Sequence, residues 1–165
     1  MKYIALILLP ILFFHIDTIQ VRDITEDGTI PEYDIKCAGT GIEGTYLTEV
    51  SIYLPKPDKE INNNLCKAAV HGVMFQGISP SSNCNGQRAI IPNPEIEKEH
   101  SEFFVTLFST PKEYSRFANI VAGSLRVTQT EKKRYRITAV ISIKKDALRK
   151  MLEQKNIIDN FEDLF

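Results

Sequence analysis

The sequence predicts an α+β fold, a two-layer sandwich with a mainly antiparallel sheet and helices packed on one face. Three observations carry this. Residues 46–54 and 134–143 alternate apolar and polar side chains with a period of two. Residues 61–76, 95–107 and 145–154 repeat apolar side chains at helical spacing. The order is strand, strand, helix, helix, strand, strand, helix, which leaves strands as antiparallel neighbours with helices between them. The 165 residues, 43% hydrophobic and 25% charged, have the composition of one globular domain. Twenty basic against twenty-one acidic residues leave no global field toward nucleic acid or an anionic membrane, so neither is an expected partner.

The chain opens on Met1-Lys2 and the apolar run YIALILLPILFFHI, Tyr3 to Ile16. That run is shorter than the ~20 residues of a membrane-spanning helix and suits a signal-peptide core. Residues 1–20 are therefore expected to be a signal peptide, with an uncleaved anchor or a buried segment as alternatives. No stable membrane span is expected after its removal, and no cysteine follows the run to be lipidated. Residues 21–33 (VRDITEDGTIPEY) are acidic and turn-rich and read as a flexible lead-in. A single domain over 34–158 and an acidic tail, 159–165, complete the expected organisation.

Within the domain, Asp34–Ala38 is a short strand candidate. Tyr46, Thr48, Val50, Ile52 and Leu54 face one way in the next strand, and Leu47, Glu49, Ser51 and Tyr53 the other. Pro55 and Pro57 end it. A helix over 61–76 places Ile61, Leu65, Ala68, Ala69, Gly72 and Phe75 on one stripe, with His71 at its edge and Gly77 to stop it. Residues 78–94 are dense in turn formers and make the longest loop. A second helix starts after Pro94, its apolar face made by Ile96, His100, Phe103, Phe104 and Leu107. Glu95, Glu97, Glu99 and Glu102 make a solvated face favoured by the helix dipole. Pro111 opens a short helix through Phe117. Strands Ile120–Thr128 and Arg134–Ile143 then form a hairpin with Tyr135, Ile137, Ala139, Ile141 and Ile143 toward the helices. The last helix, 145–154, turns Ala147, Leu148, Met151 and Leu152 inward.

Charge is uneven along the chain. Residues 21–60 carry four basic and nine acidic groups, and residues 120–155 carry ten basic and three acidic. The two segments either neutralise each other as sheet neighbours or leave a basic face for an acidic partner. That face would contain Lys132, Lys133, Arg134, Arg136, Lys144 and Lys145, with Arg149 and Lys150 beyond.

Export makes disulfides available to Cys37, Cys66 and Cys84. A Cys66–Cys84 bridge is preferred, because the loop holding Cys84 leaves the end of the helix holding Cys66; three reduced, buried thiols are the alternative. No CxxC pair supports zinc, and no metal or other cofactor is expected. Gly39-Thr40-Gly41-Ile42-Glu43-Gly44 spells a dinucleotide fingerprint, but a strand follows where the mechanism needs a helix, so the glycines read as turn or bulge residues. His71 and His100 flank apolar helix stripes and read as half-buried core imidazoles. A cysteine paired with either histidine is the route to an enzyme.

Residues 39–54 (GTGIEGTYLTEVSIYL), 65–77 (LCKAAVHGVMFQG) and 134–158 (RYRITAVISIKKDALRKMLEQKNII) resemble a group of small exported proteins of unknown function from Gram-negative bacteria of the Bacteroides type. The portion 65–155 is also distantly similar to the N-terminal domain of flagellar assembly protein T and to related small surface lipoproteins. The resemblance implies a periplasmic, non-enzymatic accessory role and brings no catalytic residue. The expected function is an exported cell-envelope or periplasmic accessory module that works by contact with an envelope protein, an acidic one where the basic face is used. The alternative is a small periplasmic hydrolase or thiol enzyme with a Cys/His pair.

Overall fold

The structure, a computed structural model, describes residues 29–159 apart from 83, 131 and 132. The expected signal peptide, residues 1–20, and all of the acidic tail beyond Asp159 lie outside the described residues.

Five antiparallel strands make one sheet: β1 (Tyr33–Gly39), β2 (Tyr46–Leu54), β3 (Ala118–Ile120), β4 (Arg126–Gln129) and β5 (Tyr135–Ile143). Their spatial order is β1-β2-β5-β3, with β4 also pairing β5. Both of the last two lie along one side of β5 (β3 against its end, β4 against its start). β2 and β5 are joined over nine consecutive pairs, from Tyr46 opposite Ile143 to Leu54 opposite Tyr135. Thr48, Val50 and Ile52 of β2, and Ile137, Ala139, Ile141 and Ile143 of β5, have no exposed surface. The period-two reading thus puts the apolar set against the helices, and Arg136 stays exposed on the other face.

Helix α1 (Ile61–His71) crosses this apolar face and continues as a π-helical turn, Gly72–Gln76. Leu65 through Val70 are all buried, so the helix is covered on more than its sheet side. Gly72 is where it comes closest to β1: a Cβ there would lie 3.1 Å from Ile35 and Tyr33 side-chain atoms. The turn closes with Gly77 N–H donating to Gly72 O at 2.8 Å. Two of the orphan carbonyls at the helix end are met from the following loop, Val73 O by Ile90 N–H and Met74 O by Ile91 N–H. Short helices α2 (Glu95–Glu99), α3 (Ser101–Ser109) and α4 (Pro111–Tyr114) follow, and α5 (Lys145–Gln154) ends the fold. Phe104, Phe108 and Tyr114 are fully or almost fully buried and complete the core with Leu148 and Leu152.

Five expectations are corrected. The lead-in ends earlier than residue 33: Glu32 O accepts from Tyr53 N–H, Tyr33 begins β1 and Ile30 packs on the core. The helix expected over 95–107 breaks at His100 (φ −111°, ψ 33°), where no proline or glycine marks the sequence. Ala147 is exposed, since only Leu148, Leu152 and part of Met151 reach the core. The strand expected over 120–128 is interrupted. Ile120 faces Ile141 and Arg126 faces Thr138, six steps on one strand against three on the other, so three residues are inserted. They form a turn closed by Ser124 N–H on Val121 O, and the Ser124 hydroxyl accepts from Val140 N–H at 3.1 Å in place of the ladder.

The fifth correction is the disulfide, which joins Cys37 to Cys84 with Cα atoms 5.9 Å apart; Cys66 is free and buried. Cys66 sits at the midpoint of α1, eleven residues and about 16 Å of helix before Gly77. The loop therefore emerges far from it and runs instead along β1, where Cys37 N–H donates to Ser79 O and Ser79 N–H to Ile35 O.

Gly77 and Gly123 share a left-handed φ, +78° and +74°, but a Cβ at Gly77 would lie 2.5 Å from Gln87 O while Gly123 has open space around it. Gly123→Ala should cost about 1–2 kcal/mol from backbone strain alone. Gly77→Ala should cost at least ~2 kcal/mol more, read by denaturant unfolding of both variants, because the loop that caps α1 must move.

Candidate functional site

The helices cover one face of the sheet and leave the other to solvent. Its side chains come from alternate positions of each strand: Asp34 and Lys36 on β1, Glu49, Ser51 and Tyr53 on β2, Arg136 and Thr138 on β5, Arg126 and Thr128 on β4. Glu49 takes Lys36 at 2.9 Å and Arg126 at 3.0 Å, the latter reaching across β5. Arg134 pairs with Glu32 at 2.8 Å, donates to Tyr53 O and lies 5.9 Å from the Tyr53 ring centre; Tyr53 in turn donates to Asp34 at 2.7 Å. The acidic early segment and the basic late one are thus sheet neighbours that neutralise each other at these pairs.

Arg136 differs from these. Its Nε donates to Ser51 Oγ at 3.2 Å, and Ser51 shares a 2.8 Å hydrogen bond with Thr138. Among the described residues no carboxylate lies within ion-pair distance of its guanidinium. It lines a groove of about 310 Å³ with Asp34, Lys36, Glu49, Ser51 and Gln76. The arrangement presents a planar donor fork, held at one nitrogen, in a groove where Lys36 and Glu49 pair with each other and the Asp34 carboxylate accepts from the Tyr53 hydroxyl.

The six residues expected to share a basic face are divided by the fold. Lys133 and Arg134 precede β5, whereas Lys144 and Lys145 follow it, about 30 Å away along a nine-residue strand. Lys132 lies outside the described residues. Lys145 is occupied, with its ammonium 5.0 Å from the Tyr46 ring centre. Only Arg134 and Arg136 come together on the open face. Sequence reasoning found both by the period of two and missed Arg126, which belongs to the same face one strand away.

Lys145 and Tyr46 also border a second cleft of about 380 Å³, between the glycine-rich turn 39–45 and the disulfide-bound loop. Gly44 carries φ +75° and lets α5 approach: Asp146 N–H donates to Gly44 O, and a Cβ on Gly44 would meet the Asp146 carboxylate at 2.9 Å. The GxGxxG letters therefore serve a strand-to-strand turn.

His71 is held between Tyr33, whose hydroxyl is 2.6 Å from Nδ1, and Glu97, 3.5 Å from Nε2. Phe75 and Phe108 flank the ring. Burial, then the Glu97 charge, push the Tyr33 phenol well above its ordinary range, so it stays protonated and anchors β1 to α1. The Cys/His alternative loses its nucleophile. Two cysteines are bonded to each other, and Cys66 points at Ala118 O with burial pushing its thiol up to about 11, the reverse of activation. Among the described residues no group of three His, Cys, Asp or Glu converges as a metal-ligand set, and no helix is long and apolar enough to cross a membrane. No protein family, curated protein or solved structure matches the chain.

Glu49 and Cys66 contribute pH dependence of opposite sign to stability. Hydrogen bonding to Lys36, with the Lys36 and Arg126 charges, holds the Glu49 carboxyl below its ordinary value. A lowered folded pKa stabilises above the ordinary carboxylate range and is lost as pH falls through the folded value. Cys66 works the other way: its stabilisation is complete below its ordinary value of 9.0 and is lost as pH rises toward about 11. Glu49→Gln should flatten the acid limb, and Cys66→Ala should flatten part of the alkaline limb, in denaturant unfolding measured across pH. Tyr33, Tyr53 and Tyr114, all shifted upward, act in the same direction as Cys66.

Proposed function

We propose that the protein is an exported accessory module of the cell envelope or periplasm that binds a protein partner through the open face of its sheet. The observation that carries this is Arg136. It stands at the second position of β5, opposite Tyr53, on the uncovered sheet face, fixed by Ser51 and beside the Lys36–Glu49 and Arg134–Glu32 pairs. A guanidinium so placed is ready for a bidentate contact with a carboxylate, a stronger and more directional bond than a lysine would give. The partner is therefore one that presents an aspartate or glutamate to the groove.

Export is supported by the apolar run at the start of the chain and by the Cys37–Cys84 bond, since such bridges persist in oxidising compartments. The accessory role is also what the resemblance to small exported proteins implies.

The test is capture from an envelope extract, with wild-type protein and Arg136→Asp as matched baits. Arg136→Asp should fold with a Tm within a few degrees of wild type, because the side chain is exposed. It should lose a protein that the wild type retains at low salt and releases as salt rises. Equal capture by both baits would rule out the open face as the contact.

A further inference from the structure

The sheet has two outer edges, and the fold treats them differently. On β1 the outward groups of Ile35 and Cys37 are taken by Ser79, and the Cys37–Cys84 bond fastens that cover in place. On β4 nothing is added. Thr130 N–H donates to Arg134 O at 2.7 Å, which sets the phase of the ladder. Thr128 and Arg126, two and four residues back, then turn their backbone groups toward β5. Val127 and Gln129 therefore direct their N–H and C=O away from the sheet, and no described residue bonds them.

The side chains along this edge are unusual for an exposed strand. All of Arg126–Gln129 is exposed, and Val121, Leu125 and Val127 show 40%, 44% and 49% of their surfaces. From Ala118 to Thr130 the one charge is Arg126, already held by Glu49. Open sheet edges are usually defended by charge or proline. This one is not.

We propose that β4 pairs antiparallel with β4 of a second copy of this chain, about a two-fold axis at Val127. In that register Val127 faces the partner's Val127, Leu125 faces the partner's Gln129, and Arg126 faces the partner's Thr128. The outward residues of the edge meet one another, as hydrogen-bonded pairing requires. No like charges are opposed. Val127 lies opposite Ile137 and shares its face, so the paired valines prolong the apolar layer across the joint. Because β1 is covered, association closes at two copies and cannot continue into a fibre. The dimer carries two Arg136 grooves on one continuous surface, an arrangement that goes beyond the partner contact proposed above and does not depend on it.

Sedimentation of the full exported protein from low to high micromolar concentration tests this, with two variants beside the wild type. The wild type should pass from monomer to dimer. Val127→Lys should raise the dimer dissociation constant at least about tenfold, since it sets two ammonium groups opposite each other. Val127→Cys should cross-link to itself under mild oxidation, because facing residues of a hydrogen-bonded pair have Cα atoms about 5.5 Å apart, within disulfide reach. A wild type that stays monomeric throughout overturns the proposal. So does a dimer that Val127→Lys leaves intact, or one that Val127→Cys fails to cross-link.

Discussion

Nine consecutive pairs between β2 and β5 hold the molecule to one arrangement. Slipping that ladder by one residue would turn either Val50 and Ile52 or Ile137 and Ile141 into solvent and bring Glu49 or Arg136 under α1. The penalty is far larger than the few kcal/mol by which such a domain is stable. With the register fixed, β1 can add only on the far side of β2, and β3 and β4 only on the far side of β5. Even the buried polar groups follow: Thr48 Oγ1 donates to Ile141 O across the ladder, and Ser51 meets Thr138 on the open side.

The same register decides what the charges do. Alternation sends the charged members of β1, β2 and β5 to one face, where strands from opposite ends of the sequence lie side by side. Glu49 and Glu32 then neutralise Arg126 and Arg134. A sequence segment with seven excess positive charges becomes a mixed surface on which one arginine keeps its fork open. Net charge by segment does not reveal that, because it depends on which residues face each other across strands.

The fold was legible wherever a local period carried it. Tyr46–Leu54, Tyr135–Ile143 and the amphipathic α5 each display their buried face in their own letters. What local patterns could not supply were choices made at long range. Cys84 pairs with Cys37 because its loop runs along β1, a path set by the π-helical turn at Gly72–Gln76 and by Gly77. The insertion around Gly123 looks like strand in the sequence, since Val121, Leu125 and Val127 keep β-forming residues on either side of it. The candidate site was half legible. Arg134 and Arg136 share a strand face that the sequence shows, whereas Arg126 joins them through pairing, and Lys144 and Lys145 were separated from them by the length of β5.

β5 is the last strand in chain order among the described residues, yet it lies inside the sheet. Until residue 135 and those after it have emerged, β2 has no neighbour on its inner side, and β3 and β4 have nothing to pair with at all. The first half can nevertheless organise early: β1 and β2 form a hairpin, α1 covers it, and the Cys37–Cys84 bond can close across a separation of 47 residues. A chain that emerges from its N-terminus would thus wait with an exposed strand edge beside α1. The sheet is completed from the middle, by a strand whose contacts reach back some ninety residues, as Thr48 to Ile141 spans 93.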